Sequence, residues 1–155
     1  MTPKNFKMPS TPNPPPKQKL TLKWAHGFRT FDTQGNLKYV GEGDTFVFTT
    51  AGVGVVQNPK LNTQTFFNQH KEDIVSMTYN KTHNVVATGQ MAAKERNEAA
   101  GKSKEAESFK NGKLVDIMIW DATTCELRFK LPLVLRRAVR QLKFSPDGKL
   151  LLGIG

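Results

Sequence analysis

One structural unit occurs twice in this chain. Ile74-Val-Ser-Met-Thr-Tyr79, Asn80-Lys-Thr-His-Asn84 and Val85-Val-Ala-Thr88 read as strand, tight turn and strand. Val139-Arg-Gln-Leu-Lys-Phe144, Ser145-Pro-Asp-Gly-Lys149 and Leu150-Leu-Leu152 repeat the plan. Tyr79 and Phe144 match at an offset of sixty-five residues. The polar stretch Met91 to Gly112 reads as an insertion inside the first copy, and without its twenty-two residues the period is about forty-three. Sheet units repeated at such a period bury their apolar faces by stacking on one another.

The first copy ends on a second signal. Trp120-Asp121 closes the apolar run Val115-Asp-Ile-Met-Ile-Trp120, with Gln69-His70 some fifty residues before it. That pairing, at a period of about 40–45 residues, resembles the WD repeat, one blade of a β-propeller. Glu126-Leu-Arg-Phe-Lys-Leu131 is then the outer strand, with Pro132 tolerable at its end or on an edge. The expected fold is all-β, a partial WD-repeat propeller of about two to three blades, not closed, because closure takes about 4–8 blades. Gly155 falls just after the second strand of the later copy. The expectation is therefore the N-terminal piece of a longer propeller, completed by further chain or by a partner polypeptide.

Four regions follow. Residues 1–19 form a basic arm with Pro3, Pro9, Pro12 and Pro14-Pro-Pro16, four lysines and no acidic residue, expected to be extended. Residues 20–68 read as short strands, Leu20–Trp24, Leu37–Val40, Thr45–Phe48 and Val53–Val56, punctuated by Asp32-Thr-Gln-Gly-Asn36 and Gly41-Glu-Gly-Asp44. Residues 69–135 hold the first WD-type blade, with the insertion at 91–112, and residues 136–155 the first two strands of the next. The Lys-, Glu- and Ala-rich insertion reads as a solvated hairpin loop, with a docking arm as the sharper alternative.

The segment before the repeats carries a family resemblance. Leu22-Lys-Trp24-Ala-His-Gly27-Phe28-Arg29, Asn36-Leu-Lys-Tyr39, Ala51-Gly-Val-Gly-Val-Val56-Gln-Asn58, Phe66-Phe-Asn-Gln-His70 and Val86-Ala-Thr-Gly-Gln90 appear in that order. From Leu20 to Gly155 the chain resembles the start of the echinoderm microtubule-associated protein-like family, in which a HELP motif leads into WD repeats. The resemblance implies a non-enzymatic structural or scaffold protein of the cytoplasm and cytoskeleton. It also implies tubulin, microtubules or other axonemal proteins as partners, and the axoneme of a cilium or flagellum as an address. A general WD-repeat adaptor without tubulin contact remains the alternative.

WD-repeat resemblance further implies a buried polar relay, carried here by His70, Thr88 and Trp120. The Asp expected in the turn before the third strand is missing: six residues before Trp120 stands Leu114. Asp116 lies within the strand and is no substitute.

Charge points to acidic partners. The formal net charge is +10, which favours polyanions through steering without naming one. Candidate partner-binding residues are Lys4, Lys7, Lys17 and Lys19 in the arm and Arg136, Arg137 and Arg140 before the second copy; the bland reading of the arginines is a solvated strand edge. Nucleic acid is disfavoured, since no recognition helix, zinc pattern or stacking motif appears.

Catalytic readings fail individually. Gly101-Lys102-Ser103 lacks the earlier glycine, strand and helix of a phosphate loop, and Gly52-Val-Gly54 lacks a dinucleotide fingerprint's third glycine. Cys125 with His26, His70 or His83 has no orienting context, and one cysteine with three scattered histidines makes no zinc pattern. No catalytic residue, cofactor or metal site is expected. A single cysteine suits a reducing compartment. No segment reaches the roughly 20 apolar residues of a membrane helix.

Overall fold

The computed structural model describes residues 17–92, 115–135 and 138–155. Ten strands run in chain order: β1 (Leu37–Val40), β2 (Thr45–Thr50), β3 (Val53–Asn58), β4 (Thr63–Phe67), β5 (Ile74–Asn80), β6 (Val85–Gln90), β7 (Val115–Asp121), β8 (Leu127–Leu135), β9 (Gln141–Phe144) and β10 (Leu151–Ile154). They form three antiparallel sheets, β1-β2-β3-β4, β5-β6-β7-β8 and the pair β9-β10. No helix occurs among the described residues. The fold is a partial all-β propeller of WD type: two four-stranded meanders and a two-stranded sheet, stacked in sequence and not closed.

The repeated turns meet each other. In the first copy Asn80 Oδ1 accepts from the His83 backbone N–H at 3.2 Å, and in the second Ser145 Oγ accepts from Leu150 N–H at 3.0 Å. Asn80 Nδ2 then donates to the Gly148 carbonyl at 3.1 Å. Gly148 has φ +72° and lies so close to the Asn80 amide that a Cβ has no room there.

The first sheet differs from the sequence reading at both ends. Leu20–Trp24, expected as a strand, forms none, and Leu20 and Leu22 are exposed. Thr63–Phe67 is instead the fourth strand, paired to β3 from Asn58↔Thr63 to Gly54↔Phe67. Three polar residues at its start hide the strand signal, and the ladder to β3 supplies what the pattern lacks. The second sheet's outer strand runs past Leu131 to Leu135, through Pro132. β8 is an edge, and its register against β7 shifts between Ile117↔Leu131 and Val115↔Leu135, so proline interrupts no regular pairing.

Burial follows the stacking. Met77, Val86, Met118 and Trp120 of the second sheet join Val40, Val47, Val56 and Phe67 of the first in one core. Ala87, Val115 and Ile117, on the opposite face, join Val139 and Leu142 in another. The second sheet is therefore a middle layer, which explains why β6 after Val85 is buried at five consecutive positions rather than alternately. Backbone bonds stitch the layers together: Ile74 N–H to Ala51 O at 2.8 Å between the first and second sheets, and Val139 N–H to Gln90 O at 3.2 Å between the second and third.

Candidate functional site: the joint between the first two sheets

His70 sits between β4 and β5, where the chain passes from the first sheet to the second. Its Nε2 lies 2.7 Å from Thr88 Oγ1, and Trp120 Nε1–H donates to the same oxygen at 3.1 Å. The structure thus brings His70, Thr88 and Trp120 to one point, with Thr88 and Trp120 fully buried and His70 nearly so. The fourth member was missed from sequence. Gln90 Oε1 faces His70 Nδ1 at 2.8 Å, which makes Nδ1 the protonated nitrogen and Nε2 the acceptor of the Thr88 hydroxyl. The available signal was strand period: Gln90 is two residues beyond Thr88 on β6, so both side chains leave the same face. The turn before β7, where the relay's Asp is expected, lies with residues 93–114 outside the described residues. Asp116 pairs with Lys130 at 2.8 Å.

Burial, opposed by the Gln90 hydrogen bond, pushes His70 below the usual histidine value. The ring is neutral at pH 7, and the joint is held by uncharged hydrogen bonds.

Aromatic packing completes the joint. Phe67 stacks on Trp120 with centroids 4.9 Å apart and planes 5° from parallel, and meets the His70 ring edge-on at 5.7 Å. Gly54 on β3 backs onto the indole so closely that a Cβ would stand 2.7 Å from Trp120 Cζ2. A buried indole needs both an apolar slot and a partner for its N–H; the first sheet supplies part of the slot and Thr88 the acceptor.

The stretch Trp24 to Arg29 braces this arrangement from outside. It crosses the free face of the first sheet, where Gln64 accepts from Ala25 N–H at 2.8 Å and donates to Ala25 O at 3.1 Å. Phe28 packs edge-on against Phe48. Arg29 N–H donates to Thr49 O at 3.4 Å. Its guanidinium forks onto Asp32 with two contacts of 2.6 Å and reaches Asp73, just before β5, at 2.5 Å. The Asp32 hydrogen bond leads in raising Arg29's affinity for its proton, and the guanidinium in turn holds the Asp32 carboxyl below its ordinary range. One arginine thereby ties brace, first sheet and second sheet.

Of the candidate partner-binding residues, Lys17, Lys19 and Arg140 are exposed. Arg140 is near enough to Asp32 for its charge to help lower that carboxyl. Lys4, Lys7, Arg136 and Arg137 lie outside the described residues. Cys125 Sγ donates to Thr65 Oγ1 at 3.4 Å, and burial pushes its thiol above the ordinary value, away from nucleophilic chemistry. Among the described residues no cluster of His, Cys, Asp and Glu could hold a metal ion, and no helix is long and apolar enough to cross a membrane.

Comparison with known proteins agrees with this geometry. The HELP motif family matches residues 15–55, which include the brace and the start of the first sheet. The 77 kDa echinoderm microtubule-associated protein of Strongylocentrotus purpuratus is 31% identical over 134 residues, covering 86% of this chain and 17% of its own length. Echinoderm microtubule-associated protein-like 1 of Homo sapiens is 28% identical over 109 residues, covering 70% of this chain and 12% of that protein. Echinoderm microtubule-associated protein-like 2 of Rattus norvegicus is 28% identical over 142 residues, covering 90% and 20%. The chain therefore spans no more than a fifth of these relatives' length. With its HELP motif braced across the first sheet and a WD-type sheet stacked upon it, this chain belongs to the echinoderm microtubule-associated protein-like family.

Proposed function

We propose that the chain acts as a non-enzymatic, microtubule-associated structural protein of the cytoskeleton, with the ciliary axoneme as one setting. One observation carries the reading: residues 15–55 match the HELP motif family and include the brace across the first sheet, in a chain that is similar over most of its length to proteins named for microtubule association. A formal net charge of +10 favours an acidic surface such as tubulin's. Lys4, Lys7, Lys17 and Lys19 in the arm, with Arg136, Arg137 and Arg140, are the proposed contacts. Leu152 and Ile154 on β10 are exposed apolar side chains and would be covered by a further sheet from additional chain or from a partner.

Co-sedimentation with microtubules tests this reading. Pelleting is expected with the whole chain, weakened by deleting residues 1–19 and by raising salt, because exposed charges are screened within about 8–10 Å. Absence of pelleting at low salt, with retention on other axonemal proteins, would favour the adaptor reading instead. Equal retention on RNA or DNA would point to unselective polyanion binding.

A further inference from the structure

We propose that the joint between the first two sheets is an acid-sensitive latch whose threshold is set by Gln90, a neutral carboxamide holding His70 where a carboxylate would stabilise the imidazolium. The hydrogen bonds themselves tolerate a proton. Thr88 Oγ1 lies 3.3 Å from the Met118 carbonyl, so its hydroxyl can turn there when His70 Nε2 becomes a donor. Thr88 Oγ1 would then accept from both His70 and Trp120. Among the described residues no carboxylate hydrogen-bonds the His70 ring, whose polar partners are Gln90 and Thr88. Asp116 on β7 favours the protonated ring and Lys130 on β8 opposes it, and these two are paired with each other at 2.8 Å. The first sheet presents apolar side chains to the same core, Val47, Val56 and Phe67. An imidazolium formed here is a buried charge whose hydrogen-bond partners, Gln90 and Thr88, are neutral, which is costly.

Relief comes by separating the layers that bury the ring. Phe67 contacts both His70 and Trp120, so admitting water to His70 loosens the stack between the sheets. The Gln90 backbone carbonyl accepts from the Val139 backbone N–H, so the residue that holds His70 is tied to the second joint as well.

The sign follows from linkage. The folded chain holds His70 below its unfolded value of about 6.5, so between the two the unfolded state binds more protons. Stability from this group is complete above about pH 6.5 and falls as the pH drops toward the folded value.

An NMR titration of the full chain reads the His70 ring directly, and the ring-to-ring nuclear Overhauser contact of Phe67 with Trp120 reads the joint. The wild type is expected to titrate at His70 below the ordinary histidine value and to lose the ring contact over the same pH range. Gln90→Glu is expected to raise the His70 midpoint and keep the contact at lower pH, whereas Gln90→Ala should not. A wild-type His70 midpoint at or above the ordinary value, or a ring contact indifferent to that titration, overturns the proposal without any variant having to fold. A Gln90→Glu midpoint unmoved from wild type overturns the role of Gln90.

Discussion

Thr88 carries more of the joint than its size suggests. A hydroxyl there meets the His70 ring, the Trp120 indole and the Met118 carbonyl while having no exposed surface. Thr88→Val keeps the shape and removes the oxygen, leaving the indole N–H and an imidazole nitrogen unpaired, so a loss of about 1–3 kcal/mol is expected in chemical denaturation. Thr88→Ser should recover most of it; no loss for Val with a loss for Ser would show that the methyl, rather than the hydroxyl, matters. Gly54 is the complementary case, where absence of a side chain is the requirement. Gly54→Val puts carbon where the Trp120 ring stands, and overpacking of this kind costs about 1–3 kcal/mol. The same measurement checks it, with a shifted Trp120 indole signal as the local marker. His70, Thr88 and Trp120 could be named from sequence because the WD-repeat resemblance implies a relay at those positions. Gln90 lies outside that pattern, and only its position two residues beyond Thr88 on the same strand face hinted at its contact with His70.

At the scale of elements, the brace and the outer strands show how pairing overrides local pattern. Leu20–Trp24 has the alternation of a strand and forms none, while Thr63–Phe67 begins with polar residues and completes a sheet. A strand is made by an available neighbour as much as by its own period, since β-propensity largely reflects packing and pairing. The brace is fixed by side chains instead. Asp32 and Asp73 are respectively 38% and 48% exposed, so water screens their pairs with Arg29, and Arg29→Ala is expected to cost only about 1 kcal/mol. Its larger effect should be local, as faster proteolysis within residues 17–30. Arg29→Lys should not restore protection, because an ammonium cannot fork onto Asp32 while reaching Asp73. Unchanged cleavage in both variants would place the brace's anchorage at Gln64 alone.

At the scale of the molecule, the two joints are unequal. The first is lined by a continuous core from both four-stranded sheets, while the third sheet contributes two strands and leaves Leu150, Leu152 and Ile154 exposed. Few buried contacts and exposed backbone bonds define regions that open first. Amide hydrogens of β9 and β10 are therefore expected to exchange before those of β6 and β7, read by hydrogen–deuterium exchange at neutral pH. Simultaneous exchange would mean that the three sheets unfold as one unit.

The sequence by itself determined the repeating sheet unit and the placement of most strands, because side-chain alternation and turn chemistry are local and every residue declares its own part of them; His70, Thr88 and Trp120 followed from the WD-repeat resemblance that this pattern carries. The tertiary structure alone decided that Trp24 to Arg29 lies across a sheet instead of within one, that Gln90 completes the His70 hydrogen bonds, and that Gly54 makes room for Trp120. Those are contacts between segments distant in the chain. A residue's polarity restricts which partners it accepts, while only the stacking of one layer on the next selects the partner it meets.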